Sequence, residues 1–290
     1  MVQGSAGSPP GKHRLRQHRS VRFRLVAVAV VLSLLLLEED AAAGTTSAEV
    51  ELWRLDCGEI VDVPLDLMSD VFAYPGQKST LTNSCYLIRH RDEYMLWDTG
   101  LRPAELGAGH KTLAQQLAHI GVVPEKITVI GISHFHYDHT GQASLFPDAR
   151  LLIGEPDFEL LVHGVELGRR EDIQPWITNG AKLERVVGDK DVFGDGTVVM
   201  LATPGHTLGH HSLLVRLAKH NVVLSGDLWH FAAQVSRNGV PIPGGTMDRA
   251  AALASMDRIT QATTNLKALL VIQHEPTDIG KLPKFPLSAK

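Results

Sequence analysis

Cysteine is nearly missing from this chain: its 290 residues include only Cys57 and Cys85. A metal site built from cysteine alone is therefore excluded, and any metal chemistry has to draw mainly on nitrogen and oxygen donors. The two thiols either pair, which an oxidising compartment permits, or remain two small apolar residues. Bridging needs Cα atoms within about 7 Å, which spacing along the chain does not decide. Excess positive charge is lacking too. The net charge is −4 and no polybasic run follows residue 24, so a nucleic-acid surface has no support and a small-molecule partner is favoured. The apolar stretch 25–37 has 13 residues, about 20 Å as a helix against roughly 30 Å of hydrocarbon, which makes a membrane span the weaker reading. Internal repeats are absent. What remains is a chain with 44% hydrophobic and 21% charged residues, which excludes disordered and fibrous classes and suffices for one large globular domain or two small ones. Histidine is unusually frequent, with 15 residues, several of them close together, and this directs attention to imidazole chemistry.

The N-terminal segment reads as a targeting signal. Lys12, Arg14, Arg16, Arg19, Arg22 and Arg24 occur without an acid and lead into the apolar stretch 25–37; Glu38, Glu39 and Asp40 follow, then Ala41, Ala42 and Ala43. A basic region, an apolar region and small residues in that order match a signal peptide cleaved near Ala43. An uncleaved anchor and a mis-set start are the alternatives. The expectation is an exported protein, periplasmic or secreted, whose only membrane contact would be an uncleaved leader. Residues 44–290 would then form one mature domain, with 22 basic against 29 acidic residues.

Beyond the leader, short runs rich in Val, Ile and Leu alternate with amphipathic stretches. Strands are predicted at 50–54, 85–88, 94–97, 128–132, 151–154, 198–202, 212–217, 222–224 and 269–272, and helices at 112–120, 155–163 and 248–268. The last helix has Leu253, Met256, Ile259 and Leu266 at helical spacing, with Asp248 as N-cap. Two irregular stretches, 69–81 and 164–186, the second holding Pro175 and Trp176, read as binding loops or lids.

Directly after strand 128–132 come His134, His136, Asp138 and His139, four ligand-type side chains within six residues. On an extended segment His134 and His136 point the same way and can grip one cation. If the chain then turns helical, Asp138 and His139 face a second position nearby. Three more candidates each follow an apolar strand: His206 after 198–202, Asp227 after 222–224 and His274 after 269–272. Taken singly each would be read as structural or surface. Strand ends on one sheet edge can converge, however, and with the first motif they complete a ligand set.

This pattern, His-x-His-x-Asp-His followed by His, Asp and His on later strand ends, resembles the metallo-β-lactamase superfamily from about residue 50 to His274. The resemblance implies an α/β fold of the αββα sandwich type. It implies one ion on His134, His136 and His206, a second on Asp138, His139 and His274, and Asp227 bridging both. Five imidazoles and two carboxylates suit two zinc ions, with iron, cobalt or manganese tolerated. His136 argues against the diiron flavoprotein branch, which would carry Glu there. The Asp227 bridge is expected of lactonases and thioester hydrolases, whereas true β-lactamases of the superfamily usually lack it. Asn83 to Ile88, Leu96 to Gly100 and Ser225 to His230 look most like N-acyl-homoserine lactonases, the quorum-quenching type. One departure stands out: His230 occupies the place where many such lactonases carry a Tyr that hydrogen-bonds the lactone carbonyl. Its imidazole N–H can donate the same bond, or it is a supporting or surface residue.

The mechanism so implied is attack on a lactone carbonyl by a hydroxide formed between two cations, with Asp138 returning the proton to the leaving alkoxide. Asp98 is read either as orienting a ligand imidazole or as shaping the turn Asp98-Thr99-Gly100. His210 and His211 are placed at the surface or core edge rather than among the ligands. An acyl-chain pocket would draw on Leu67, Met68, Phe72 and Tyr74, and on Trp176 and Ile177, unless these simply pack under their loops. An exported β-lactamase, another ester or thioester hydrolase, and a non-catalytic binding protein are the competing readings. A homodimer is left open beside a monomer.

Overall fold

The computed structural model describes residues 49–178, 182–236, 239–241 and 247–290. The expected leader lies outside them. Two sheets make up the centre. The first comprises β1 (Val50–Pro64), β2 (Lys78–His90), β3 (Glu93–Trp97), β4 (Ile127–Ile132), β5 (Arg150–Gly154) and β6 (Leu183–Val186), hydrogen-bonded in that order. Its first three strands are antiparallel and the rest run parallel. The second comprises β7 (Lys190–Asp191), β8 (Val198–Ala202), β9 (His211–Arg216), β10 (Asn221–Leu224) and β11 (Leu269–Val271). Only the β10–β11 pair is parallel.

Period-two alternation explains how the sheets stack. Leu52, Tyr86, Ile88, Met95, Trp97, Val129 and Leu152 turn inward to meet Val198, Met200, Leu213, Val215, Val222 and Leu224 of the second sheet. The intervening residues face outward. Leu55, Leu87, Leu96, Ile130, Leu151 and Ile153 pack under α1 (Leu113–His119) and α3 (Glu155–His163). On the other side, Leu201, Leu214 and Val223 are covered by Ala252, Met256 and Ile259 of α6 (Arg249–Leu266). The remaining helices are short: α2 (Tyr137–Thr140), α4 (Gln174–Thr178) and α5 (Ala232–Val235). Three apolar layers between four structural ones make the expected αββα sandwich.

Local signals place the long helices. Thr112 and Gln115 form a reciprocal capping box at α1, and the Asp248 carboxylate accepts the Ala251 N–H at the start of α6. The stretch 164–186 is not an open loop: it holds α4 and all of β6, and Trp176 is buried in the core with its indole N–H on the Ala149 carbonyl at 2.9 Å. Trp176 and Ile177 therefore belong to the core rather than to an acyl pocket. Cys57 and Cys85 are joined, with Cα atoms 5.8 Å apart, and tie β1 to β2 inside the outer core. Among the described residues no helix is long and apolar enough to cross a membrane.

Candidate metal centre

Strand direction brings the seven candidates to one edge. β8, β10 and β11 run the same way in the second sheet, so the turns carrying His206, Asp227 and His274 leave it at a common end. β4 delivers His134 and His136 there from the first sheet, and α2 presents Asp138 and His139 one turn later. Gly226 shapes the Asp227 turn. Its φ of +56° suits glycine, and a Cβ at this position would lie 2.6 Å from the His210 ring.

Two donor groups result: His134, His136, His206 and Asp227, and beside them Asp138, His139 and His274. In the first, His136 Nδ1 lies 2.9 Å from His134 Nε2 and 3.2 Å from His206 Nε2. Asp227 Oδ2 is 3.7 Å and 3.6 Å from the same two Nε2 atoms. In the second, Asp138 Oδ2 is 3.5 Å from both His139 Nε2 and His274 Nε2. Asp227 Oδ1 is 3.3 Å and 3.1 Å from them. Donors about 2.05 Å from a tetrahedral ion stand about 3.3 Å from each other, so both groups have the spacing such an ion needs. Asp227 stands between the two groups: Oδ1 faces His139 and His274, while Oδ2 faces His134 and His206 and also lies 3.2 Å from His274 Nε2. His139 Nε2 and Asp227 Oδ1 are buried without a hydrogen-bond partner, a costly state that a shared cation removes.

The second ring nitrogens are held. His139 Nδ1 faces Asp98 Oδ2 at 2.9 Å, while Asp98 also accepts the Ser133 N–H and hydroxyl. Asp98 thus does both things expected of it, since its φ of +56° also makes the turn. His274 Nδ1 donates to the Thr82 carbonyl at 2.9 Å, and His134 Nδ1 lies 3.0 Å from the Ser133 hydroxyl. Such partners fix which nitrogen is free to coordinate. His210, expected near the surface, is buried: its Nε2 accepts the Asp227 N–H at 3.0 Å and its Nδ1 lies 3.0 Å from the Thr203 carbonyl. Burial pushes its pKa down to about 3, keeping it neutral and able to accept. His211 is buried as well, and neither joins a donor group.

Electrostatics divide the cluster. Burial lowers His134 and His206, and takes His136 down to about 4. Burial opposes charge on His139 and His274 too, but the Asp227 and Asp138 carboxylates outweigh it and raise both. Asp227 resists burial because His274, His139 and His134 surround it, and it lies well below the usual carboxylate range. Neutral imidazoles and ionised carboxylates are the forms that bind metal, so an ion entering the second group would displace the protons favoured on His139 and His274.

A family model described as the metallo-beta-lactamase superfamily matches residues 80–274. The chain belongs to the metallo-beta-lactamase superfamily. The family is dinuclear and metal-dependent, and this chain has two donor groups that could each hold an ion. Relatives within the superfamily include an N-acyl homoserine lactonase of a Bacillus species, 26% identical over 219 residues, covering 69% of this chain and 84% of that protein. N-acyl homoserine lactonase AiiB of Agrobacterium fabrum is 28% identical over 202 residues, covering 58% and 73%. A solved N-acyl homoserine lactone hydrolase with N-hexanoyl-L-homoserine bound at its catalytic metal center superposes with a TM-score of 0.70 at 22% identity, covering 83% of this chain and 99% of that one.

The donors open onto a cavity of about 330 Å³. His136, Asp138, His206, Asp227, His230 and His274 form its polar side, and Ile60, Val63, Leu67, Met68, Leu81 and Met247 line the apolar one. Leu67 and Met68 thus sit where a pocket was expected. Phe72 is 81% exposed and outside the lining, and Tyr74 is buried edge-on against Phe231. Ile60, Val63 and Leu81 escaped the sequence reading because they lie in strand extensions that read as loop. His230 is buried, with its Nε2 3.4 Å from Asp227 Oδ2 and its backbone N–H on Gln234 Oε1 at 2.6 Å.

Proposed function

We propose that this protein is an exported hydrolase that opens the ring of N-acyl-homoserine lactones, a quorum-quenching activity, using two zinc ions. The observation that carries this reading is the position of Asp227: its two oxygens serve two donor groups at the base of a cavity whose other wall is apolar. A polar ester head and an acyl tail match those two walls. Zinc suits five imidazoles with carboxylates. Residues 1–43 and the Cys57–Cys85 disulfide support export, since such bonds persist in oxidising compartments.

The ions would be held by His134, His136 and His206, by Asp138, His139 and His274, and by Asp227 between them. When bound they supply Lewis acidity, polarising a carbonyl and acidifying water. The protein supplies the rest. Asp98, Ser133, Thr82 and His210 hold the ligands in one arrangement, so no reorganisation is needed during reaction. Asp138 carries the proton to the leaving alkoxide, and His230, stacked on His274 at 5.7 Å, donates its N–H to the substrate carbonyl oxygen.

Acid release from a panel of acyl-homoserine lactones, thioesters and a chromogenic cephalosporin tests the reading. Metal-dependent turnover of the lactones is expected, with little or none of the cephalosporin; no lactone turnover with any divalent metal would defeat it. For His230→Ala, kcat should fall about tenfold to a hundredfold with metal content unchanged, and His230→Tyr should retain activity. Loss of metal from His230→Ala would assign that side chain to the ion site instead.

A further inference from the structure

We infer that Asp157, which contributes nothing to either donor group, is a positioning residue that sets the affinity of the His134–His136–His206 group for its ion. The inference rests on the dinuclear reading. Asp157 stands in the first turn of α3, where an acid is ordinarily an exposed partner for the helix N-terminus. Here it is 0% exposed and faces away from its own helix. Its Oδ2 accepts the Phe135 N–H at 3.1 Å and the Thr207 hydroxyl at 2.7 Å, and its Oδ1 accepts the Gly209 N–H at 2.7 Å. Among the described residues only burial and these three hydrogen bonds, and no charged side chain, act on the Asp157 carboxyl.

The chain positions of those donors matter. Phe135 lies between His134 and His136, and Thr207 follows His206. One carboxylate therefore fastens the backbone of both loops that supply the three imidazoles, although one loop leaves the first sheet and the other the second. The seam admits no extra atoms. A Cβ on Gly209 would come within 2.7 Å of the Asp157 carboxyl, and one on Gly154 within 2.0 Å of the Gly209 carbonyl. Burial pushes the Asp157 pKa up to about 7 against the pull of its three donors. A carboxyl in so unfavourable a place gives the two loops one common anchor, where a neutral side chain offers fewer acceptors to the same three donors.

The test titrates metal-free wild type and Asp157→Asn with Co²⁺ against a chelating indicator, while the metal-free proteins are melted in parallel. The amide keeps the shape but replaces one acceptor oxygen with a donor. Wild type should bind two ions, and Asp157→Asn should bind one of them about tenfold to a hundredfold more weakly with the other unchanged. Unchanged affinity for both ions, even with a lower melting temperature, would overturn the inference, as would equal weakening of both. Thr207→Val removes one bond and spares the carboxylate. It should weaken the same ion severalfold while the metal-free protein melts within about 2 °C of wild type, and it decides the matter if Asp157→Asn does not fold. Wild type that takes up no ion would instead sink the dinuclear reading itself.

Discussion

Asp227→Ala is expected to lower kcat/KM for a lactone at least about a thousandfold, roughly 4 kcal/mol of transition-state stabilisation, and to leave at most one ion per chain. Asp227 is the residue whose two oxygens reach both donor groups, at 3.1 to 3.7 Å from four imidazole nitrogens. Without it each group would lack an anionic donor and, on the proposed dinuclear reading, the two ions would have no common ligand. The metal-free fold should survive. Burial already opposes charge on His139 and His274, and only the nearby carboxylates raise them; with Asp227 gone they shed protons instead of leaving buried charge unpaired. Steady-state kinetics and elemental analysis check this together. A variant that holds two ions and turns over substrate like wild type would remove Asp227 from the mechanism.

Loss of the Cys57–Cys85 bond should cost about 3 kcal/mol. The cysteines are 28 residues apart in sequence, and closing a loop of that length in the unfolded chain accounts for the whole of such a value. Cys57→Ala with Cys85→Ala should lower the urea midpoint accordingly, and mass spectrometry of the alkylated wild type should find no free thiol. A double variant as stable as wild type would mean that the bond contributes nothing. Gly100, which follows the Asp98 turn, has φ +66° and so little room that a Cβ would lie 2.4 Å from Cys57 Cβ. Cys57 thus packs directly against the backbone of the turn that carries Asp98.

The site was largely legible in the sequence because its chemistry is concentrated in unusual residue types. His134, His136, Asp138 and His139 lie within six residues, and His206, Asp227 and His274 each end an apolar strand, so strand polarity alone brings them together. Most strands and all three predicted helices occur where periodicity puts them. The misses have physical reasons. β1 continues to Pro64 through two register shifts, and its far half is partly exposed, so no clean alternation marks it. β6 is an edge strand of mixed polarity. Asp157 reads as a routine helix-start acid because its partners are 22, 50 and 52 residues away. His210 carries no sign in the sequence that it receives the Asp227 N–H.

Each donor group takes members from both halves of the sandwich: His134 and His136 with His206 and Asp227 in one, Asp138 and His139 with His274 and Asp227 in the other. Bound ions would therefore act as rivets across the open end of the sandwich, where the apolar filling between the sheets gives way to solvent. Chelation should lower the melting temperature as well as stop catalysis, because ions that bind only the folded chain stabilise it by mass action. Differential scanning calorimetry with and without a chelator measures how far this centre fastens the fold that presents it.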